Sequence, residues 1–403
     1  MKLCFAVILL VLSFNLKAIS PKNNITAGFF HSMFISENDD LLVCGNNNKC
    51  QLGLKDRTPR PIFEKINNAP KIIALSAGCG HSLFIDENYD VWVCGGNEYG
   101  QLGLGDTIDR KILKKNDNLS GIVGVYAGNF YSLFLDQSGQ VWACGNNHSG
   151  QLGLGDTRNR CAPEKINVPK IIALSAGCGH SLFIDENYDV WACGYNYYGE
   201  LGLGDIIDRW TPEKINNLSE ITTVCAGSYH SLFANQNGEV FVCGNNYHGQ
   251  LGLGNTAGRQ TPEKINMPKI IAMSAGYEHT LFIDENYKAW ACGNNYYGQL
   301  GLRGTASRQT PEKINNLSEI SNACAGSFQS LFVDRSGKIL VCGSNAYGQL
   351  GLGNRCYKQG LEEIENIRSS SIGKKYGKKP LDLYQSQKLT ESLISEYTQQ
   401  SDN

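Results

Sequence analysis

The stretch PKIIALSAGCGHSLFIDENYDVWVCGGNEYGQLGLG occupies residues 70–105. Three short apolar runs are written in it: Ile72 to Ala77, His81 to Ile85 and Val91 to Cys94. Each is the length of a β-strand and each is bounded by turn residues. The turn between the second and third runs often takes the form Asp/Asn-x-x-Gly, as in Asp136 to Gly139, Asn235 to Gly238 and Asp334 to Gly337, which is hairpin chemistry. An Asn-rich loop and a Gln-Leu-Gly-Leu-Gly segment follow. Next comes an extended Thr-Pro-Glu-Lys-Ile-Asn segment, as at Thr261 to Asn266, whose Pro262 suits an edge strand. One unit therefore predicts four antiparallel strands with the last outermost.

The unit recurs. Gly28, Gly78, Gly128, Gly177, Gly227, Gly276 and Gly326 stand in register at spacings of 50, 50, 49, 50, 49 and 50. Pro70, Pro169 and Pro268 open one kind of unit and Asn118, Asn217 and Asn316 another, each series stepping by 99, so the chain reads as one blade plus three duplicated pairs. Seven four-stranded repeats of about 50 residues predict an all-β, seven-bladed β-propeller, because radial repetition protects the sheet edges. Closure is expected to join the strand near Ile25 to the last extended segment, Leu361 to Ile367.

In the 403 residues, 41% are apolar, 10% aromatic and 18% charged, enough to bury a substantial core. A net charge of −2 argues against a nucleic-acid-coating surface. Residues 1–20 carry Lys2, an apolar run from Leu3 to Phe14 and a small-residue end near Ala18, the pattern of a signal peptide. That run is too short to span a bilayer. The propeller is assigned to residues 21–367. Residues 368–380 form a basic linker holding Lys374, Lys375, Lys378 and Lys379. In the tail, 381–403, Leu383, Leu389, Leu393, Ile394 and Tyr397 share one side of a helical wheel, the pattern of an amphipathic helix.

Fifteen cysteines in an exported chain would suggest a disulfide framework. Yet Cys44, Cys94, Cys144, Cys193, Cys243, Cys292 and Cys342 fill one repeat position before a Gly, the pattern of small buried hydrophobes on a ring too wide for disulfides. Pairing of Cys50, Cys161 and Cys356 stays open. No C-x-x-C spacing occurs, and no metal or cofactor is expected.

His31, His81, His180, His230 and His279 also share one position, filled by Tyr131 and Gln329 in the other units. Metal ligands must converge, whereas equivalent positions diverge around an axis. These histidines are therefore read as structural hydrogen-bonding groups. Gly-Gln-Leu-Gly-Leu-Gly is turn chemistry, with no following Lys-Ser/Thr to make a phosphate loop. No nucleophile and base stand out from the repeat, so no catalytic residue is assigned.

The motifs Ala-Gly-x-x-His-Ser-Leu-Phe and Cys-Gly-x-Asn-x-x-Gly-Gln-Leu-Gly-Leu-Gly resemble the regulator of chromosome condensation repeat, shared with beta-lactamase inhibitor protein II. The likeness covers about residues 25 to 367. It implies a seven-bladed propeller and three family functions: nucleotide exchange on the small GTPase Ran, ultraviolet sensing and inhibitory protein binding. Cys replaces the family's usual Trp before Gly, while Trp92, Trp142, Trp191 and Trp290 stand two residues upstream. The even spacing leaves no room for the protruding wedge of the Ran exchanger. The photoreceptor's Gly-Trp-Arg-His-Thr reads Gly227-Ser228-Tyr229-His230-Ser231 here, against light sensing.

Alternate connections of an up-and-down blade lie at opposite ends, so the Gly-x-x-His turn and the Asn-x-x-Gly loop are expected to share one face. On that face the variable residues are aromatic: Phe29, Phe30, Phe130, Tyr229, Tyr277 and Phe328 in turns, and Tyr99, Tyr197, Tyr198, Tyr247, His248, Tyr296, Tyr297 and Tyr347 in loops. Tyrosine enrichment is an interface signature. For the residue just before Gly, such as Tyr297, packing between blades is an equal alternative. The expectation is an exported, non-enzymatic, monomeric propeller that binds a protein through this face, centred on blades 4 to 6. The alternative is an exchange factor for a small GTPase of Ran type.

Overall fold

The computed structural model describes residues 24–317 and 319–368. They form seven four-stranded antiparallel sheets, each made from four consecutive strands. The chain is an all-β, seven-bladed propeller with no helix among the described residues. Blade 1 runs Ile25–Ala27, His31–Ile35, Leu41–Gly45 and Arg60–Lys65. Blades 2 to 6 span residues 72–115, 122–165, 171–214, 221–264 and 270–313. Blade 7 runs Ile320–Ala325, Gln329–Asp334, Lys338–Gly343 and Lys358–Arg368. The first strand of each blade lines the axis and the Pro-bearing fourth strand is outermost. The sequence readings for residues 1–20, 369–380 and 381–403 lie outside the described residues.

Closure differs from the expectation. The Ile25 strand pairs with its own neighbour, His31–Ile35, and the Lys358–Arg368 strand pairs with Lys338–Gly343. No strand is exchanged because Ile25 belongs to an innermost strand and the last segment to an outermost one. Ile25 and Ile364 belong to one apolar layer between blades 7 and 1.

Seven such layers exist, one between each pair of neighbouring blades. Alternation along each strand sends one set of side chains to each face of the blade, so every sheet supplies two layers. Phe34, Phe84, Phe134, Phe183, Phe233, Phe282 and Phe332 fill the layers and are fully buried. The seven repeat cysteines lie in the same layers with no exposure. All fourteen cysteines of the described residues, including Cys50, Cys161 and Cys356, are free thiols.

Polar clamps cross the same interfaces. His31 Nε2 lies 3.0 Å from Ser82 Oγ of blade 2, and Ser82 Oγ donates to the Gln51 carbonyl of blade 1 at 2.7 Å. Because the single hydroxyl proton goes to the carbonyl, His31 Nε2–H is the donor to serine. His81, His180, His230 and His279 repeat the contact with Ser132, Ser231, Thr280 and Ser330 at 2.9–3.0 Å. Gln329 replaces it by donating to the Gly28 carbonyl at 3.0 Å, and Tyr131 by donating to the His180 carbonyl at 2.5 Å. Burial holds all five imidazoles neutral: His31, His180 and His279 are lowered to about 3, and His81 and His230 to about 4.

Candidate partner-binding face

The loops between third and fourth strands are of one length, residues 46–59 in blade 1 through 344–357 in blade 7, fourteen residues each. No wedge-like insertion interrupts the described blades. Each loop is braced by the Asn at its second position. Asn196 Oδ1 accepts the Leu201 amide at 2.9 Å while its Nδ2 donates to the Asp205 and Ile207 carbonyls at 3.1 Å. Asn246 does the same with Leu251, Asn255 and Ala257. The next residue follows a fixed buried amide and is thrust outward. Tyr197, Tyr247 and Tyr296 are therefore 61%, 71% and 70% exposed.

The expected sharing of one face by turns and loops is what the geometry gives. Tyr99, Tyr198, Tyr297 and Tyr347, each just before a Gly, meet the turn aromatics Phe130, Tyr229, Phe328 and Phe30 of the next blade at centroid distances of 5.4, 5.3, 5.6 and 4.9 Å. Residues before Gly thus do pack between blades and are only partly exposed. From Tyr197 a chain of ring contacts runs through Tyr198 at 5.1 Å, Tyr229 at 5.3 Å, Tyr277 at 5.4 Å and Phe328 at 5.2 Å. It continues from Phe328 to Phe29 at 6.0 Å and on to Phe30 at 4.6 Å. The Tyr229 and Tyr277 hydroxyls lie 3.3 Å apart, and burial pushes the Tyr229 phenol well above its usual range. His248 pairs with Glu278 at 3.3 Å.

Three features were not picked out from the sequence. Tyr195 joins the cluster, 6.4 Å from Tyr197 and 6.3 Å from Tyr229. Its signal was present, because it breaks the Asn that opens this loop in blades 1, 3, 5 and 6. Glu200 likewise breaks the Gln found in every other blade. Ile206, Ile207 and Trp210 extend exposed apolar surface outward from blade 4, at 49%, 64% and 52% exposure. Near the axis, the turn residues Phe29, Cys79, Asn129, Cys178, Ser228, Tyr277 and Ser327 ring a shallow depression of about 90 Å³, too small for a substrate of ordinary size. No group of three or more His, Cys, Asp or Glu side chains among the described residues could hold a metal ion. No helix of the described residues is long and apolar enough to cross a membrane.

No curated protein matches the chain. Among solved structures, Prp20p from Saccharomyces cerevisiae is similar at 23% identity and a TM-score of 0.75, covering 81% of this chain and 86% of that one. Yeast RCC1 (Prp20) bound to Kap60 gives 22%, 0.74, 81% and 84%. Human WBSCR16 gives 20%, 0.73, 81% and 93%. These likenesses are of fold. The family model "Regulator of chromosome condensation (RCC1) repeat" matches residues 38–85, 90–135, 138–184, 189–234, 237–283 and 288–333. Each match runs from the third strand of one blade to the second strand of the next, so the sequence repeat straddles the interface that the histidine clamps hold. A second model of the same description matches residues 23–51, 122–151, 221–250 and 270–299. With matches over well more than half its length, the chain belongs to the regulator of chromosome condensation repeat family.

Proposed function

We propose that this propeller is a non-enzymatic binding platform for a partner protein, engaged through the aromatic face of blades 4 to 6. The observation that carries the reading is the cluster of three outward tyrosines, Tyr197, Tyr247 and Tyr296, each well over half exposed on a braced loop. Beside them, a continuous floor of aromatic rings already pays little conformational entropy on binding. Rigid aromatic anchors around a partly buried centre are what hot spots are made of. The N-terminal apolar run supports export as a signal-peptide-bearing protein, with N-terminal sequencing of the mature secreted chain as its test.

Exchange on a small GTPase is the second reading. It draws on the structural likeness to Prp20p, whose published description concerns its binding to Gsp1p and histones. The uniform loops weigh against a wedge-type mechanism. Affinity capture with the propeller, beside a Tyr197→Ala/Tyr247→Ala/Tyr296→Ala triple variant, tests both. A partner lost in the triple variant, at about 2 kcal/mol or more per anchor, supports the platform. Unchanged capture refutes that face, and accelerated nucleotide release from a captured GTPase replaces the first reading with the second.

A further inference from the structure

Blade 4 departs from the repeat at two linked positions. In blades 3, 5 and 6 the residue opening the loop is Asn146, Asn245 or Asn294. Its Oδ1 accepts from Nε2 of Gln151, Gln250 or Gln299 at 2.8, 2.9 and 3.2 Å. Gln349 makes the same reach to Ser344 Oγ in blade 7 at 3.3 Å. In blade 4 the pair is Tyr195 and Glu200. Glu200 keeps the buried slot at 0% exposure, and its Oε2 accepts the Tyr198 amide at 2.9 Å, as the glutamine oxygens do elsewhere. Its Oε1 has no hydrogen-bond partner among the described residues. A blade that needed only to fold would be served by the Asn and Gln pair used three times elsewhere in this ring.

Among the described residues no cation acts on the acid. Residues 194–208 contain Glu200, Asp205 and Asp208 and no Lys or Arg. Arg209 is engaged with Asp205 at 2.7 Å and Glu213 at 2.8 Å. The titratable groups that face Glu200 are Asp208, Tyr195, Tyr198, Cys178 and Cys243, all neutral or negative at neutral pH. Burial pushes the Glu200 carboxyl up to about 8, with Asp208 adding to the rise and the amides of Glu200 and Tyr198 opposing it. Tyr195 and Tyr198 feel its charge, and Tyr197 packs against both at 6.4 and 5.1 Å, so three ring faces that attract positive charge are grouped in this loop.

The geometry points to a subsite in blade 4 for an arginine side chain of the partner, stacked on the Tyr195, Tyr197 and Tyr198 rings and bonded to Glu200 Oε1. It rests on the platform reading only in taking the arginine to belong to the bound protein. Arginine fits better than lysine because a planar guanidinium stacks on a ring while its forked N–H groups reach a carboxylate. Tyr195, in the place of an asparagine, is the side chain that turns aside to admit it. On binding, Glu200 ionises against the guanidinium and its proton leaves to solvent.

The probe is the peptide acetyl-Gly-Arg-Gly-amide, against its neutral citrulline counterpart. Both are titrated into the full chain while tyrosine-ring and glutamate-carboxyl NMR signals are followed. The arginine peptide is expected to bind at least about tenfold tighter than the citrulline peptide. Its affinity should rise about tenfold from pH 6 to pH 7, because less work is needed to ionise the acid. Tyr195→Asn/Glu200→Gln rebuilds the pair of blades 3, 5 and 6, so it folds; it should lose both the charge preference and the pH dependence. Equal binding of the two peptides, no binding of either, or an unchanged affinity in the double variant overturns the subsite. Partner capture lost in the triple-alanine variant yet indifferent to Tyr195→Asn/Glu200→Gln would remove the subsite and leave the platform. Arginine-peptide binding kept by a Tyr247→Ala/Tyr296→Ala variant, which leaves all three subsite rings in place, together with unchanged partner capture by the triple-alanine variant, would remove the platform and leave the subsite.

Discussion

Replacing His81 by Gln should make the propeller less sensitive to acid by a countable amount. The five clamp histidines are fully buried, and their folded pKa values of about 3 or about 4 lie below the ordinary 6.5. The unfolded chain therefore binds protons first as pH falls. Stability is fully present above pH 6.5 and drains away as pH drops toward 4 and then 3. At pH 5 each unfolded imidazole is protonated and each folded one is not. That difference is worth about 2 kcal/mol per histidine at about 1.4 kcal/mol per pH unit, and about 10 kcal/mol for five. Gln329 shows that glutamine fits the slot, since its Nε2 bridges to blade 1 at 3.0 Å. His81→Gln should fold, take up about one proton fewer on guanidinium unfolding at pH 5, and lose about 2 kcal/mol less between pH 7 and pH 5. Proton uptake is read by calorimetry in two buffers of different ionisation enthalpy. Equal uptake by variant and wild type, or stability that does not fall toward pH 5, would refute the account of neutral buried clamps.

Gly244→Ala should cost about 3 kcal/mol or more in denaturant unfolding. Gly244 sits at φ +102°, and an added Cβ would lie 2.5 Å from the Tyr229 carbonyl oxygen and 2.7 Å from the His230 Cα, backbone atoms that cannot step aside. Gly304→Ala, at φ +76° with open space around it, should cost only about 1 kcal/mol, and equal losses would undo the steric argument. Thiol labelling followed by mass mapping should modify exposed Cys356 first and the seven repeat cysteines last, since burial both hides these thiols and raises their pKa. Early labelling of Cys144 or Cys193 would show that the blade interfaces open.

The fold was legible because one period is written seven times and each period carries its own strand lengths and turns. The alternation in Val91-Trp92-Val93-Cys94 and the Gly after it predict a strand end, and the strand does end at Gly95. The histidines could be read as hydrogen-bonding groups, but not their partners. A sequence shows that His81 and Ser132 recur, not that one blade's ring reaches the next blade's hydroxyl. Closure was misread for a related reason: an extended segment looks alike whether it pairs across the seam or within its own blade. On the face, Tyr197, Tyr247 and Tyr296 were visible as variable positions in a fixed loop. Tyr195 and Glu200 escaped because each breaks the pattern alone, and only their contact partners in other blades show that the two changes belong together.

The join between blades 7 and 1 follows the plan of the other six, with Gln329 standing in the place of the clamp histidine. Ser32 donates to the Gln349 carbonyl at 2.8 Å, Gln329 reaches Gly28, and the Gly353 amide meets the Pro61 carbonyl at 2.8 Å, as Gly155 meets Trp210 and Gly204 meets Gln260 elsewhere. Among the described residues no strand is exchanged across it, and a single antiparallel bridge, Ile62 to Leu352, spans it. The ring thus behaves like a circular stack of interchangeable tiles, in which the first and last tile are defined by the order of synthesis and not by any special joint. A circular permutant opened between blades 3 and 4 would meet the same chemistry at its new ends, needing only a linker across the old ones. The same equivalence makes duplication of adjacent tiles a simple way to enlarge such a ring, as the 99-residue steps from Pro70 to Pro169 to Pro268 record.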